Sequence, residues 1–286
     1  MSSTHVTQYI KTARSPLSQE LPPYEQFYRH LQAKMKKGDI NIDQSDLEKY
    51  QIKCTGIDFV TGDPEDGGLK VLGPMSPNDI ADMCDPDMLY TDSDISFPEV
   101  SPGIYHTAID WTNTFLRAFE LAPKNGKSTA NNPSLPNKTI LDLSSWKHAE
   151  LPDYKYSNTT YVWRSKFTLR PRDDSCLYII CGLANGYAFK DKIPLFGELN
   201  TCYWLDKKTS SANKDNNSRS VITLLSFSDR NGRIVQFLRN GSKPPILQIS
   251  PIIKLGSEEE ENRKIFINFM GWAFSTKQGR LPSDCN

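Results

Sequence analysis

Residues 144–169 read SSWKHAELPDYKYSNTTYVWRSKFTL, with Trp146 ahead of a Leu-Pro break and Trp163 inside an alternating run. Alternation of large apolar and polar side chains predicts extended chain, because successive side chains of a strand point to opposite faces. Similar runs follow it: CLYIICGLA, SVITLLSF, RIVQFL, PILQISPIIKL and KIFINFMGWAF. Asn231-Gly232 between two of them predicts a tight hairpin turn, and GSEEEEN before the last reads as a solvated turn. The chain from residue 139 onward is therefore expected to be a β-domain.

The residues before this region read differently. PPYEQFYRHLQAKMKKG places Tyr24, Phe27, Tyr28, Leu31 and Met35 at helical spacing, with Pro22 and Pro23 at the start and Gly38 at the end. Ser45 and Glu48 form a capping-box pattern for a second helix. KCTGIDFV reads as a strand and TGDPEDGG as a loop. Ser76-Pro77 and Ser101-Pro102 open two further helices, the second presenting Ile104, Tyr105, Ala108, Thr112, Phe115, Leu116 and Phe119 on one face.

Charge divides the chain in the same place. Residues 1–122 carry 10 Lys or Arg and 19 Asp or Glu, whereas residues 123–286 carry 24 and 15, giving zero overall. The segment 123–138, PKNGKSTANNPSLPNK, lacks apolar periodicity and reads as a linker. The expected class is α+β: a mainly helical acidic segment over 1–122, a linker over 123–138 and a basic antiparallel β-sandwich over 139–286.

The segment LDLSSWKHAELP, the strand YVWRSKFTL and the run CLYIICGLANGYAF together resemble the galactose-binding-like jelly-roll domains of β-galactosidase and β-glucuronidase type enzymes. The matching positions are Asp142, Ser145, Trp146, Leu151, Pro152, Trp163, Arg164, Phe167 and Gly182. The resemblance implies a jelly-roll sandwich and at most a sugar-binding role. It covers about residues 139–205, and no glycosidase barrel fits in the length that follows.

Composition narrows the function classes. No apolar run approaches the ~20 residues needed to cross a bilayer, and the first residues lack the apolar core of a secretory signal. A cytoplasmic protein without membrane attachment is expected. Six cysteines at irregular spacing, with no CxxC pair, predict reduced thiols and not a disulfide framework or zinc site.

For Trp146 and Trp163, core packing is the first expectation. Aromatics near expected loop tips suit a pyranose face better: Tyr187 and Phe189 after Asn185-Gly186, and Tyr203 and Trp204 before the polar DKKTSSANKDNNSRS. Asp85, Asp87, Asp92 and Asp94 are oxygen ligands of the kind calcium takes, but the EF-hand spacing is absent, so no metal or other cofactor is expected. His106 and Asp110, four apart on one helix, are with Asp85 and Asp87 the residues a hydrolase would use. Arg164, Lys166, Arg170 and Arg172 alternate along one strand, yet the acidic half repels polyanions, which argues against nucleic acid. The leading expectation is a non-enzymatic protein that binds a carbohydrate or similar polar small ligand. Head-to-tail self-assembly through the oppositely charged halves is the alternative, with a protein partner on the same surfaces, and a hydrolase comes after it.

Overall fold

A computed structural model describes residues 21–279, except 22, 40, 84–103, 121–138, 150, 152–153, 158–161, 174–177, 213–218, 242 and 257–258. The linker segment 123–138 and the acids Asp85, Asp87, Asp92 and Asp94 lie outside the described residues.

The N-terminal helices form where the spacing places them. Helix α1 (Pro23–Lys36) has Glu25 in its first turn and Lys34 and Lys36 in its last, each sign matched to the helix dipole. Gly38 follows at φ +70°, a conformation that costs glycine little. Helix α2 (Gln44–Lys49) is capped by Asp43, whose side chain accepts from the Asp46 amide, so the cap falls two residues before the expected Ser45. Strand β1 (Lys53–Gly56), strand β2 (Leu72–Gly73), helix α3 (Pro77–Met83) and helix α4 (Ile104–Glu120) follow. The buried face of α4 centres on Ala108, Trp111, Phe115, Ala118 and Phe119, while Ile104 is exposed.

Helix α5 (Ile140–Leu143) opens on a capping box between Thr139 and Asp142. Strands β3 (Trp146–His148), β4 (Lys155–Ser157), β5 (Val162–Pro171) and β6 (Tyr178–Asn185) lead to helix α6 (Phe196–Ala212). Strands β7 (Arg219–Ser228), β8 (Asn231–Asn240), β9 (Ile246–Ile249) and β10 (Ile253–Lys254) precede helix α7 (Glu259–Ala273) and strand β11 (Thr276–Lys277).

The α+β class holds, with the strands arranged otherwise than in two facing sheets. One mixed sheet runs β1-β9-β8-β7-β6-β5-β3, with β10 on β8 and β4 on β5; β2 and β11 form a small second sheet. Strands β6 and β7 are parallel and α6 connects them; β1 and β9 are also parallel. Tyr178, Ile180 and Ala184 of β6 belong to the core under α4 and α7, and Ile179, Cys181 and Leu183 to the core under α1 and α6. A sandwich strand buries one face and wets the other. Here β6, β7 and β8 are buried on both, the pattern of a sheet covered by helices on either side.

Three local expectations change for physical reasons. KIFINFMGWAF lies mostly in α7, with Phe266, Phe269, Met270 and Ala273 buried at helical spacing, and the acids read as a turn supply its first turn. The hairpin between β7 and β8 turns at Asp229-Arg230, because Ser228 pairs with Asn231. Gly232 lies inside β8, where a Cβ would come within 2.6 Å of the Phe269 ring. The basic row on β5 is broken by a register shift between Ser165 and Phe167, so Arg164 and Arg170 fall on opposite faces.

The acidic half is woven into this body. Thr55 of β1, Gln248 of β9, Gln236 of β8 and Thr223 of β7 stand in one row across four strands. Gln248 Nε2 donates to the Leu69 carbonyl at 3.1 Å and Gln236 Nε2 to that of Leu72 at 3.3 Å, fastening residues 69–72 over the sheet. Phe27 and Leu31 of α1 are fully buried in the core shared with α6. No helix among the described residues is long and apolar enough to cross a membrane.

Candidate functional site

The parallel pair β6 and β7 opens a crevice at one end of the sheet. The chain leaves the carboxyl end of β6 at Asn185, runs through residues 186–195 and enters α6. In α/β architecture the crevice beyond the carboxyl end of such a strand is the usual ligand site. A cleft of about 460 Å³ out to its open mouth lies there, with an inner cavity of about 40 Å³. Trp163 and Asn185 line it from the sheet, Tyr187 and Lys190 from the loop, Gly197 from α6, and Asn41 from the connection between α1 and α2.

Each wall is fixed by identifiable contacts. Trp163 is 2% exposed and its ring stacks on Tyr156, with centroids 4.4 Å apart and planes 18° from parallel. The Trp163 ring N–H is buried and has no hydrogen-bond partner among the described residues. Asn185 Nδ2 donates to Ser226 Oγ at 2.9 Å and towards the Phe227 carbonyl at 3.4 Å, which orients the amide. A Cβ on Gly197 would stand 2.8 Å from Asn185 Oδ1 and 3.0 Å from Trp163 Cγ, so α6 begins directly against both side chains. The Ser228 hydroxyl donates to the Tyr187 carbonyl.

Behind the loop lies a charged pair with no exposure on either side chain, Arg233 of β8 and Glu198 of α6. Arg233 Nε donates to Glu198 Oε1 at 2.9 Å. Its Nη1 donates to the Lys190 carbonyl at 2.9 Å, and its Nη2 to the Ile193 carbonyl at 3.1 Å and to Glu198 Oε2. Glu198 Oε2 also accepts from the Leu195 amide at 2.7 Å, satisfying a donor at the start of α6. The Phe189 ring covers the guanidinium, 4.4 Å from its carbon.

The expected ligand residues therefore separate. Asn185 and Tyr187 line the cleft. Phe189 covers the Arg233 guanidinium instead. Tyr203 and Trp204, expected just before a loop, lie within α6: Tyr203 is 1% exposed between Phe27 and Phe237, and Trp204 stacks on Tyr154 at 4.7 Å. Trp146 is a core residue whose ring N–H reaches the Ser275 carbonyl at 3.1 Å. Trp163 packs in the core and lines the cleft at once. His106 is exposed and Asp110 half-buried on α4, across the sheet from the cleft. Among the described residues no three His, Cys, Asp or Glu side chains gather as metal ligands.

Sequence reading missed Gly197, Glu198 and Arg233. A helical reading of FGELNTCYWLDKK would have exposed the β6-α6-β7 crossover and with it the cleft. A second and larger groove, of about 800 Å³ measured in the same way, runs beside β1, where Lys53–Asp66 at 2.7 Å and Lys192–Glu65 at 3.8 Å form ion pairs. Burial pushes the Cys54 thiol in that groove up to about 12.

Comparison with known proteins returns no matching family model, no matching curated protein and no matching solved structure.

Proposed function

We propose that the protein is a non-enzymatic binding protein whose cleft at the carboxyl end of β6 holds a carbohydrate or a similar uncharged polar molecule. The observation that carries the reading is Trp163: a buried aromatic wall whose ring N–H lacks a partner among the described residues, beside the oriented amide of Asn185. Tyr156 covers Trp163 and α6 begins against it at Gly197. The half-buried Tyr187 ring is therefore the face on which a pyranose stacks, with the Trp163 ring N–H and the Asn185 amide at its margin to pair the hydroxyls. The positive end of α6 is already matched by the Glu198 carboxylate, and the Arg233 charge by the same group. Among the described lining residues Lys190 is the one cation and it is exposed, so the inner wall carries no unmatched charge, which suits a neutral ligand. The reading rests on this cleft and no longer on a jelly-roll architecture. A cytoplasmic location goes with this reading, as the compartment in which Cys54 and Cys202 stay reduced.

The test is a broad glycan array probed with the full-length chain and with Tyr187→Ala. Binding to a set of related neutral glycans, weakened about tenfold or more by the substitution, supports the reading. A folded protein that binds none of them, or binds them equally well after the substitution, overturns it.

A further inference from the structure

We propose that Arg233, neutralised by Glu198, is the positioning residue of the cleft and sets the course of residues 187–196. The inference rests on the cleft being the binding site. A fully buried ion pair is a weak device for stability alone, because desolvating two charges offsets most of their attraction. The contacts of this pair point elsewhere. Two Arg233 nitrogens hold the Lys190 and Ile193 carbonyls, and the carboxylate that neutralises Arg233 holds the Leu195 amide. Phe189 is pinned over the same guanidinium. Four positions of one loop thus converge on a single ion pair, and the cleft residues Tyr187 and Lys190 belong to that loop. A planar fork satisfies these acceptors together, which a lysine ammonium at the end of a flexible stem does not.

Arg233→Lys separates charge from geometry, since it keeps a cation opposite Glu198 and loses the fork. Hydrogen exchange of the full-length protein, without ligand, reads the result segment by segment. The expected outcome is exchange about tenfold faster or more within 187–196, with amides of β7 and β8 unchanged. Equal loss of protection in β7 and β8 would make Arg233 a brace for the sheet and overturn the proposal, as would an unchanged loop. Where Arg233→Lys fails to fold, Glu198→Gln is read in the same two ways. A loosened loop in a protein that binds no glycan refutes the sugar-binding reading and leaves the positioning role standing.

Discussion

The Trp272 ring N–H donates to the Phe59 carbonyl at 2.7 Å, joining α7 to the acidic half across 213 residues of sequence. Trp272 is fully buried, and Phe59 stands edge-on to Phe269 at 4.8 Å. Trp272→Phe keeps an aromatic ring and strands a buried carbonyl, a loss of about 1–3 kcal/mol. Urea unfolding is expected to shift to lower denaturant as one transition, because the two halves share their cores. An unchanged midpoint, or a separate transition for the N-terminal half, contradicts this account.

Cys54 gives a chemical check on the β1 edge. Its thiol is pushed by burial from an ordinary 9.0 up to about 12, although the charge of Arg233 pulls the other way. At pH 8 the thiolate is then about one molecule in ten thousand, against roughly one in ten for a thiol of ordinary value. Iodoacetamide labelling followed by peptide mass spectrometry should find Cys54 nearly inert in the native protein and labelled in urea. Rapid native labelling of Cys54 at pH 8 would show the edge to be open.

Asp58 predicts the sign of an acid effect. Its carboxylate accepts from the Thr61 amide at 2.6 Å and the Val60 amide at 2.9 Å, bonds that hold it below its ordinary 3.8 against a smaller effect of burial. A group with a lowered folded value binds fewer protons folded than unfolded. Its contribution is thus fully present above pH 3.8 and is lost as pH falls through the folded value beneath it. Wild type and Asp58→Asn should differ in thermal midpoint at pH 6 and converge towards pH 3. The gap is small, because Asp58 is largely solvated. A gap that widens with acid reverses the argument.

Legibility followed locality. Helix α1 was readable because its stripe, its terminal charges and Gly38 all lie within one short window. Strands β6 and β7 were readable as strands, while their unbroken apolar runs fit a sandwich core as well as a sheet covered by helices on both faces. Helix α6 was hidden because polar Glu198, Asn200, Thr201 and Asp206 are buried alongside Phe196, Leu199, Cys202, Tyr203 and Leu205, which erases the polar-apolar contrast that marks a helix. Asn185 and Tyr187 could be found from a turn signal after an apolar strand. Gly197 and Arg233 could not, since one matters through Trp163, 34 positions away, and the other through Glu198, 35 positions away.

Gly197 tests the cleft and the fold together. Alanine ordinarily favours a helix by up to about 1 kcal/mol over glycine, which here acts against the substitution's steric cost. A Cβ at this position stands 2.8 Å from Asn185 Oδ1 and 3.0 Å from Trp163 Cγ, and neither neighbour has a free direction in which to yield. Asn185 is tied to Ser226, and Trp163 is held on its face by Tyr156. Overpacking of this kind costs about 1–3 kcal/mol, so the steric effect outweighs the helical gain. Gly197→Ala is expected to lower the urea midpoint and to abolish glycan binding, because α6 must back away from the wall it completes. Gly38→Ala is the contrasting control: nothing lies within 4 Å of its Cβ, and at φ +70° it costs stability through the backbone alone. Its glycan binding should match wild type. A Gly197→Ala protein that is more stable and still binds would show that α6 does not bear on Trp163, and the cleft would lose its inner wall.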